Sequence, residues 1–80
     1  MICIDCLKLQ QKHQLLSFFQ HSIEGMYSLN YDALIDALTF YKEPIHFTIF
    51  HIECYEDPTE LKEVLEIIHS ENPVVSFTFV

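Results

Sequence analysis

The sequence predicts an α/β fold in which a three-stranded parallel sheet packs with three to four helices in two layers. Three observations support this class. Strand-like and helix-like segments follow one another in the order β, α, α, β, α, β, and strands separated by helices pair in parallel through right-handed crossovers. Eighty residues suit a single domain, 1–80. One glycine in the whole chain leaves little scope for the hairpin turns of a β-sandwich or barrel.

The first half of the chain predicts a strand followed by two helices. The strand runs from Met1 to Asp5, where isoleucines at alternate positions share one face. The first helix runs from Gln10 to Ile23, on the spacing of its leucines and phenylalanines, although no residue marks a clear N-cap. The second helix is better defined, because Asn30 or Ser28 can cap it and an apolar stripe follows: Tyr31, Leu34, Ile35 and Leu38.

The second half predicts a strand, a helix and a final strand. Ile45 to Ile52 is β-branched and aromatic throughout, which is typical of a strand. Asp57 then opens a helix as its N-cap, with Pro58 at the first helical position and Glu60 completing a capping box. Val74 to Val80 forms the last strand.

The charge balance limits the class of partner. Twelve acidic residues stand against four lysines, which gives a net charge of −8. Neutralising phosphates requires clusters of lysine and arginine, so we expect no nucleic-acid partner. Charge of this sign favours the electrostatic capture of basic proteins, although it also serves solubility.

The sequence also indicates where the protein resides. No apolar run approaches the roughly 20 residues that a membrane helix needs, so we expect no membrane partner. The first residues lack the cationic start of a secretory signal. Three cysteines without framework spacing suit a reducing compartment. We therefore expect a cytoplasmic protein, and we favour a monomer.

No residue pattern indicates catalysis or a cofactor. Cys3 and Cys6 have the spacing of a redox or zinc pair, but residues three apart on a strand point to opposite faces. His46 and His51 likewise face opposite ways on the middle strand and match no metal motif. One glycine allows no phosphate-binding loop, and no serine has a nucleophile-elbow context. We therefore predict no enzyme, with no catalytic residue, metal or cofactor.

Asp32 and Asp36 are the residues most suggestive of a function. They lie four apart on the polar side of the second helix, where two like charges repel by roughly 0.2–0.5 kcal/mol. Tyr27, Thr39 and Tyr41 lie near them in sequence and would supply contact area to a basic partner. The alternative is an ordinary solvated helix face, which the spacing alone fits equally well.

The segment 30–39, Asn-Tyr-Asp-Ala-Leu-Ile-Asp-Ala-Leu-Thr, resembles the Asn-x-Asp-Ala-Leu-x-Asp-x-Leu-Thr segment of barstar-like ribonuclease inhibitors. Met26 and Tyr27 stand where that family usually has two aromatic residues, and the order of elements fits over most of the chain. The resemblance implies a barstar-like domain that acts as an immunity protein or antitoxin. In that family the second helix and the loop before it block the basic catalytic cleft of a ribonuclease.

The resemblance also implies a set of contact residues. By matching position, Asp36 is the central carboxylate and Asp32 its neighbour. A family acid late in the last helix aligns with Glu71, although Ser70 or His69 fits equally well. The expected partner-binding set is Tyr27, Asn30, Asp32, Ile35, Asp36, Thr39, Tyr41 and Glu71.

The chain departs from the family pattern at several positions. Ser28 replaces a glycine, Met26 an aromatic residue, and both Ile35 and Tyr41 replace tryptophans. We expect these changes to affect contact residues more than core residues. The alternative function is an acidic adaptor of the same fold that binds a basic protein other than a nuclease.

Overall fold

A computed structural model describes residues 2–80 of the chain. Its centre is one parallel sheet in the order β1–β2–β3, formed by Ile2–Asp5, Ile45–Phe50 and Val75–Phe79. In the register, Phe47 of β2 lies between Ile2 of β1 and Phe77 of β3. The predicted α/β class with a three-stranded parallel sheet is therefore confirmed, while Met1, the predicted start of the first strand, lies outside the described residues.

Within residues 2–80, three α-helices connect the strands: α1 spans Lys12–Ser22, α2 spans Tyr31–Thr39 and α3 spans Pro58–Glu71. Each helix lies where the sequence predicts one, and the arrangement is compatible with two layers. The N-cap residues predicted for the last two, Asn30 and Asp57, are confirmed, and Pro58 is the first residue of α3. Asn30 Oδ1 accepts a hydrogen bond from the Ala33 N–H at 2.7 Å, and Asp57 Oδ1 accepts one from the Glu60 N–H at 3.1 Å. A side-chain cap of this kind contributes about 1 kcal/mol.

The start of α1 is capped by a residue that is remote in sequence. The Glu56 carboxylate accepts a hydrogen bond from the Lys12 N–H, across 44 residues of chain. The Glu56 N–H donates to the Gln10 carbonyl at 2.9 Å. The Gln14 side chain also accepts a bond from the Gln11 N–H at 3.1 Å. The sequence shows no clear N-cap for this helix because its main cap comes from the chain that follows β2.

The middle strand is two residues shorter than predicted, since β2 ends at Phe50 rather than Ile52. His51 has φ 56° and ψ 44°, the left-handed conformation, which turns the chain out of the sheet. A short 3-10 turn, Ile52–Cys54, follows. Strand propensity could not reveal this end, because a single residue that changes conformation leaves the apolar pattern unbroken.

One apolar cluster holds the sheet and the helices together. Phe47 lies at its centre, with its ring 5.1 Å from that of Phe19 on α1 and 5.5 Å from that of Phe77 on β3. Burying a side chain of this size contributes about 1.5–3 kcal/mol. The opposite face of the sheet carries Phe50 and otherwise smaller or polar side chains: Cys3, Asp5, His46, Thr48, Ser76 and Thr78.

Candidate protein-binding surface

The loop before α2 is anchored at Gly25 and Met26. Gly25 has φ +91°, which L-residues rarely adopt, and no atom lies within 4 Å of the place where a Cβ would stand. The requirement for glycine is therefore one of backbone conformation. The Met26 side chain is buried, and its carbonyl accepts a hydrogen bond from Gln20 Nε2 at 3.1 Å. Tyr27, the next residue, is 90% exposed.

Met26, one of the departures from the pattern of the family that the sequence resembles, is a core residue rather than an exposed contact residue. Its side chain belongs to the core cluster, where it fills space beneath the loop. Methionine is flexible enough to fill an irregular gap that an aromatic ring would occupy differently. Met26 therefore supports the loop from the core side, while Ser28, two residues later, is exposed.

The apolar stripe predicted for α2 is confirmed. Leu34 and Leu38 are fully buried, and Tyr31 and Ile35 are partly buried and packed against the core cluster. The Tyr31 hydroxyl also bonds to that of Tyr55 at 2.7 Å. Desolvation raises the pKa of both phenols, so both stay neutral and fix the start of α2.

The two carboxylates of α2, Asp32 and Asp36, are exposed and form no ion pair with the residues that the structure describes. Within residues 2–80, one side-chain ion pair is closer than 4 Å. It joins His51 to Asp5, and both residues are far from this helix in sequence. Because α2 ends at Thr39, Asp36 lies in its last turn. The negative end of the helix dipole is there, so the dipole disfavours this carboxylate, whereas Asp32 in the first turn is favoured.

Asp36 lines a shallow depression of about 700 Å³ where the loop meets the end of α2. Three of the predicted contact residues, Tyr27, Asp36 and Tyr41, share this lining. The depression therefore combines a free carboxylate with aromatic surface. Its remaining charged lining residues are Glu24 and Lys42.

Phe40 belongs to the same depression and was missed from the sequence. Its side chain is 77% exposed, which is unusual for a large aromatic residue. A signal for it exists in the sequence. The apolar stripe of α2 continues in phase to Tyr41, so a phenylalanine at position 40 falls out of phase with the core and must face solvent.

The residue that caps the end of α3, Asn72, holds the turn that carries Phe40. Asn72 Nδ2 donates two hydrogen bonds, to the Leu38 carbonyl at 2.9 Å and to the Tyr41 carbonyl at 2.8 Å. These two carbonyls flank Phe40 in sequence. The amide thus ties the end of α3 to the end of α2 and fixes the rim of the depression.

The other five predicted contact residues lie outside the lining of the depression. The Asn30 side chain caps α2, and Ile35 packs against the core. Asp32 is exposed one helical turn before Asp36. Thr39 is half-buried, and its Oγ1 has no hydrogen-bond partner among residues 2–80. Glu71, at the end of α3, borders a separate shallow depression with Glu63 and Glu66.

Cys3, Asp5 and Cys6 lie on the first strand or directly after it, in different surroundings. Burial raises the pKa of the Cys6 thiol to about 11, which disfavours the thiolate that redox chemistry or metal binding needs. Cys3 is exposed on the other side of the sheet. Hydrogen bonds from His51 and from the Leu7 N–H lower the pKa of Asp5. In the described part of the chain, no three His, Cys, Asp or Glu side chains converge to hold a metal ion.

No protein-family model matches the chain, and a search of curated proteins finds no match. Of the helices in residues 2–80, none is both long and apolar enough to cross a membrane, and the longest has 14 residues. The surface around Asp36 is therefore the main guide to function.

Proposed function

We propose that the protein inhibits a ribonuclease, as an immunity protein or antitoxin of barstar-like fold, by inserting α2 and the loop before it into a basic active site. The observation that carries the proposal is the setting of Asp36. Within residues 2–80 its carboxylate has no ion pair closer than 4 Å, and it lines a depression together with the exposed aromatic residues Tyr27 and Phe40.

A ribonuclease cleft is a suitable complement to this surface. Enzymes that cleave RNA hold phosphate with arginine, lysine and histidine, and the same groups form charge-assisted hydrogen bonds with a carboxylate. Aromatic residues around such a pair exclude water and so increase its contribution to binding. Tyr27, Phe40 and Tyr41 supply that aromatic surround.

The overall charge supports the same target. A net charge of −8 attracts a basic enzyme over several ångströms of solvent and speeds the encounter. Two of the four lysines lie over aromatic rings rather than beside carboxylates: Lys12 Nζ is 4.4 Å from the Tyr31 ring centre and Lys62 Nζ is 5.7 Å from that of Phe79. Neither of these two lysines forms an ion pair within 4 Å with Asp32 or Asp36, so both carboxylates stay available to a partner.

Two further features support the barstar-like part of the proposal. The segment 30–39 carries the family-like spacing of acidic and apolar residues, and the chain follows the order of elements that the resemblance implies. Asn30 then has a structural role as the cap of α2, and Ile35 supports the helix from below. Asp32, Asp36, Tyr27 and Tyr41 form the contact surface.

The test uses the immobilised protein to capture partners from a lysate of the organism that encodes it. The captured protein is then purified and assayed for RNA cleavage while the inhibitor is titrated. We expect cleavage to stop at one equivalent, and Asp36→Asn to weaken inhibition at least about tenfold, roughly 1.4 kcal/mol. Glu63→Gln removes the same charge from the outer side of α3 and should leave inhibition within about twofold of the unmodified protein.

Two results would argue against this function. A captured basic protein without ribonuclease activity would favour the adaptor alternative. A captured ribonuclease whose inhibition changes equally in Asp36→Asn and Glu63→Gln would show that only the total charge matters, and Asp36 would not be the anchor.

A further inference from the structure

We propose that the free edge of β3 binds an extended, basic segment of a partner protein, which adds to the sheet as a fourth strand. This surface shares no lining residue with the depression around Asp36. The inference therefore goes beyond the proposed inhibition.

Two backbone hydrogen bonds show which side of β3 is free. The Ile45 N–H donates to the Val74 carbonyl at 2.9 Å, and the Val80 N–H donates to the Ile49 carbonyl at 2.9 Å. Along a parallel strand, residues that bond to one neighbour alternate with residues that face away from it. The even-numbered residues 74–80 therefore face β2, and the odd-numbered ones direct their backbone groups outward.

The first of these outward residues is already satisfied. The Val75 carbonyl accepts a hydrogen bond from His69 Nδ1 at 2.8 Å, and the Val75 N–H donates to the Asn72 carbonyl at 3.0 Å. Beyond them, the N–H and C=O groups of Phe77 and Phe79 face the open side of an edge strand. Four strong backbone groups are thus available to an added strand.

A groove accompanies this edge. A depression of about 530 Å³ lies between α3 and β3, and its lining includes Leu65, Glu66, His69, Phe77, Thr78 and Phe79. The five residues of β3 span about 17 Å, which is enough for a short added strand. Natural proteins usually protect such edges with proline, bulges or charged residues, whereas this edge carries two phenylalanines.

The charges of the groove determine which occupant fits. Glu66 lies in the groove, and Glu63 and Glu71 border the adjoining surface of α3 with it, against one lysine, Lys62, whose Nζ lies over the Phe79 ring. A second copy of the chain would bring the same glutamates and a further net charge of −8. A segment with arginine or lysine at alternate positions suits the site better, because the aliphatic stem can pack on the partly exposed Phe77 and Phe79 while the head reaches Glu66.

The test titrates ¹⁵N-labelled protein with the synthetic peptide Thr-Arg-Val-Arg-Val-Arg-Thr. At saturation we expect hydrogen exchange of the Phe77 and Phe79 amides to slow at least about tenfold, because both become hydrogen-bonded to the peptide. The peptide Thr-Glu-Val-Glu-Val-Glu-Thr should not bind. Asp36→Asn should leave the affinity unchanged, which separates this surface from the inhibitory one.

A pair of variants tests the backbone contact directly. Phe79→Pro removes an outward N–H, which an edge strand tolerates, and Phe79→Ala removes the same ring but keeps the N–H. We expect the proline variant to bind the arginine peptide about tenfold more weakly than the alanine variant. If the proline variant does not fold, a peptide N-methylated at alternate residues serves instead and should lose binding by a similar factor.

Several results would overturn the inference. If the two variants bound the peptide equally well, the Phe79 N–H would not be hydrogen-bonded to the peptide. NMR chemical-shift changes centred on Asp32 and Asp36 would place the peptide on α2. If, without peptide, the Phe77 and Phe79 amides exchanged more slowly as the protein concentration rose, the occupant of the edge would be a second copy of the chain. Absence of binding at millimolar peptide would refute the site.

Discussion

Replacing Asn72 by alanine should destabilise the protein and loosen the turn that carries Phe40. The side chain donates two hydrogen bonds across the chain, at 2.9 Å to the Leu38 carbonyl and at 2.8 Å to the Tyr41 carbonyl. A buried hydrogen bond contributes about 0.5–1.5 kcal/mol net, so Asn72→Ala should cost about 1–3 kcal/mol. In a domain of this size, each kcal/mol lowers Tm by about 4–8 °C.

The matched variant is Asn72→Asp, which keeps the shape of the side chain but replaces the donor by an acceptor. A carboxylate oxygen would then face two carbonyl oxygens, so this variant should be at least as unstable as Asn72→Ala. Glu71→Gln, a change at the exposed neighbouring residue, should remain within about 0.5 kcal/mol of the unmodified protein. Urea unfolding followed by circular dichroism measures all three.

A second measurement separates local loosening from global loss of stability. The Phe40 N–H bonds to the Asp36 carbonyl and the Tyr41 N–H to the Leu38 carbonyl. In Asn72→Ala, exchange of these two amides should accelerate more than that of the core amides, because the turn opens locally. If Asn72→Asp were as stable as the unmodified protein, the two hydrogen bonds would not be what holds this turn.

Three further predictions concern the loop, the acid limit of stability and the acidic helix. Gly25→Ala should lower the free energy of unfolding by roughly 1–2 kcal/mol in urea titrations, since φ +91° disfavours a Cβ; D-alanine at the same position, introduced by chemical synthesis, should cost little. In the folded protein the pKa of Asp5 lies below its ordinary value of 3.8. The ionised Asp5 carboxylate therefore stabilises the fold above about pH 4, and this contribution is lost as the pH falls through the pKa of Asp5 in the folded protein. Asp5→Asn should therefore flatten the fall of Tm between about pH 6 and pH 2. Asp36→Asn should stabilise the free protein by a few tenths of a kcal/mol in the same urea assay, because a like-charge pair disappears; a loss of stability would contradict this account of α2.

Local features of the sequence were sufficient to predict most of the fold. The spacing of Leu34 and Leu38 gave the buried face of α2, and Asn30 and Asp57 gave its start and that of α3. Each of these signals acts over a turn or two of chain. The same is true of Asp32 and Asp36, whose exposure follows directly from the helical period.

Features that depend on distant parts of the chain could not be predicted. Glu56 caps α1 across 44 residues, and Asn72 bonds to Leu38 across 34. The sequence marks Glu56 only as an acid after a strand, with no indication of the helix that it meets. The depression around Asp36 depends on this kind of contact, because Asn72 positions the turn that brings Phe40 to its rim.

The position of Asp36 in the finished helix strengthens the functional argument beyond its spacing. Repulsion from Asp32 costs roughly 0.2–0.5 kcal/mol, and the negative end of the helix dipole disfavours the same carboxylate. Neither cost is offset within the described residues by an ion pair. A solvated helix face would tolerate asparagine there and be slightly more stable. The proposed cationic partner would account for Asp36, because its binding would turn an unfavourable charge into the centre of an interface.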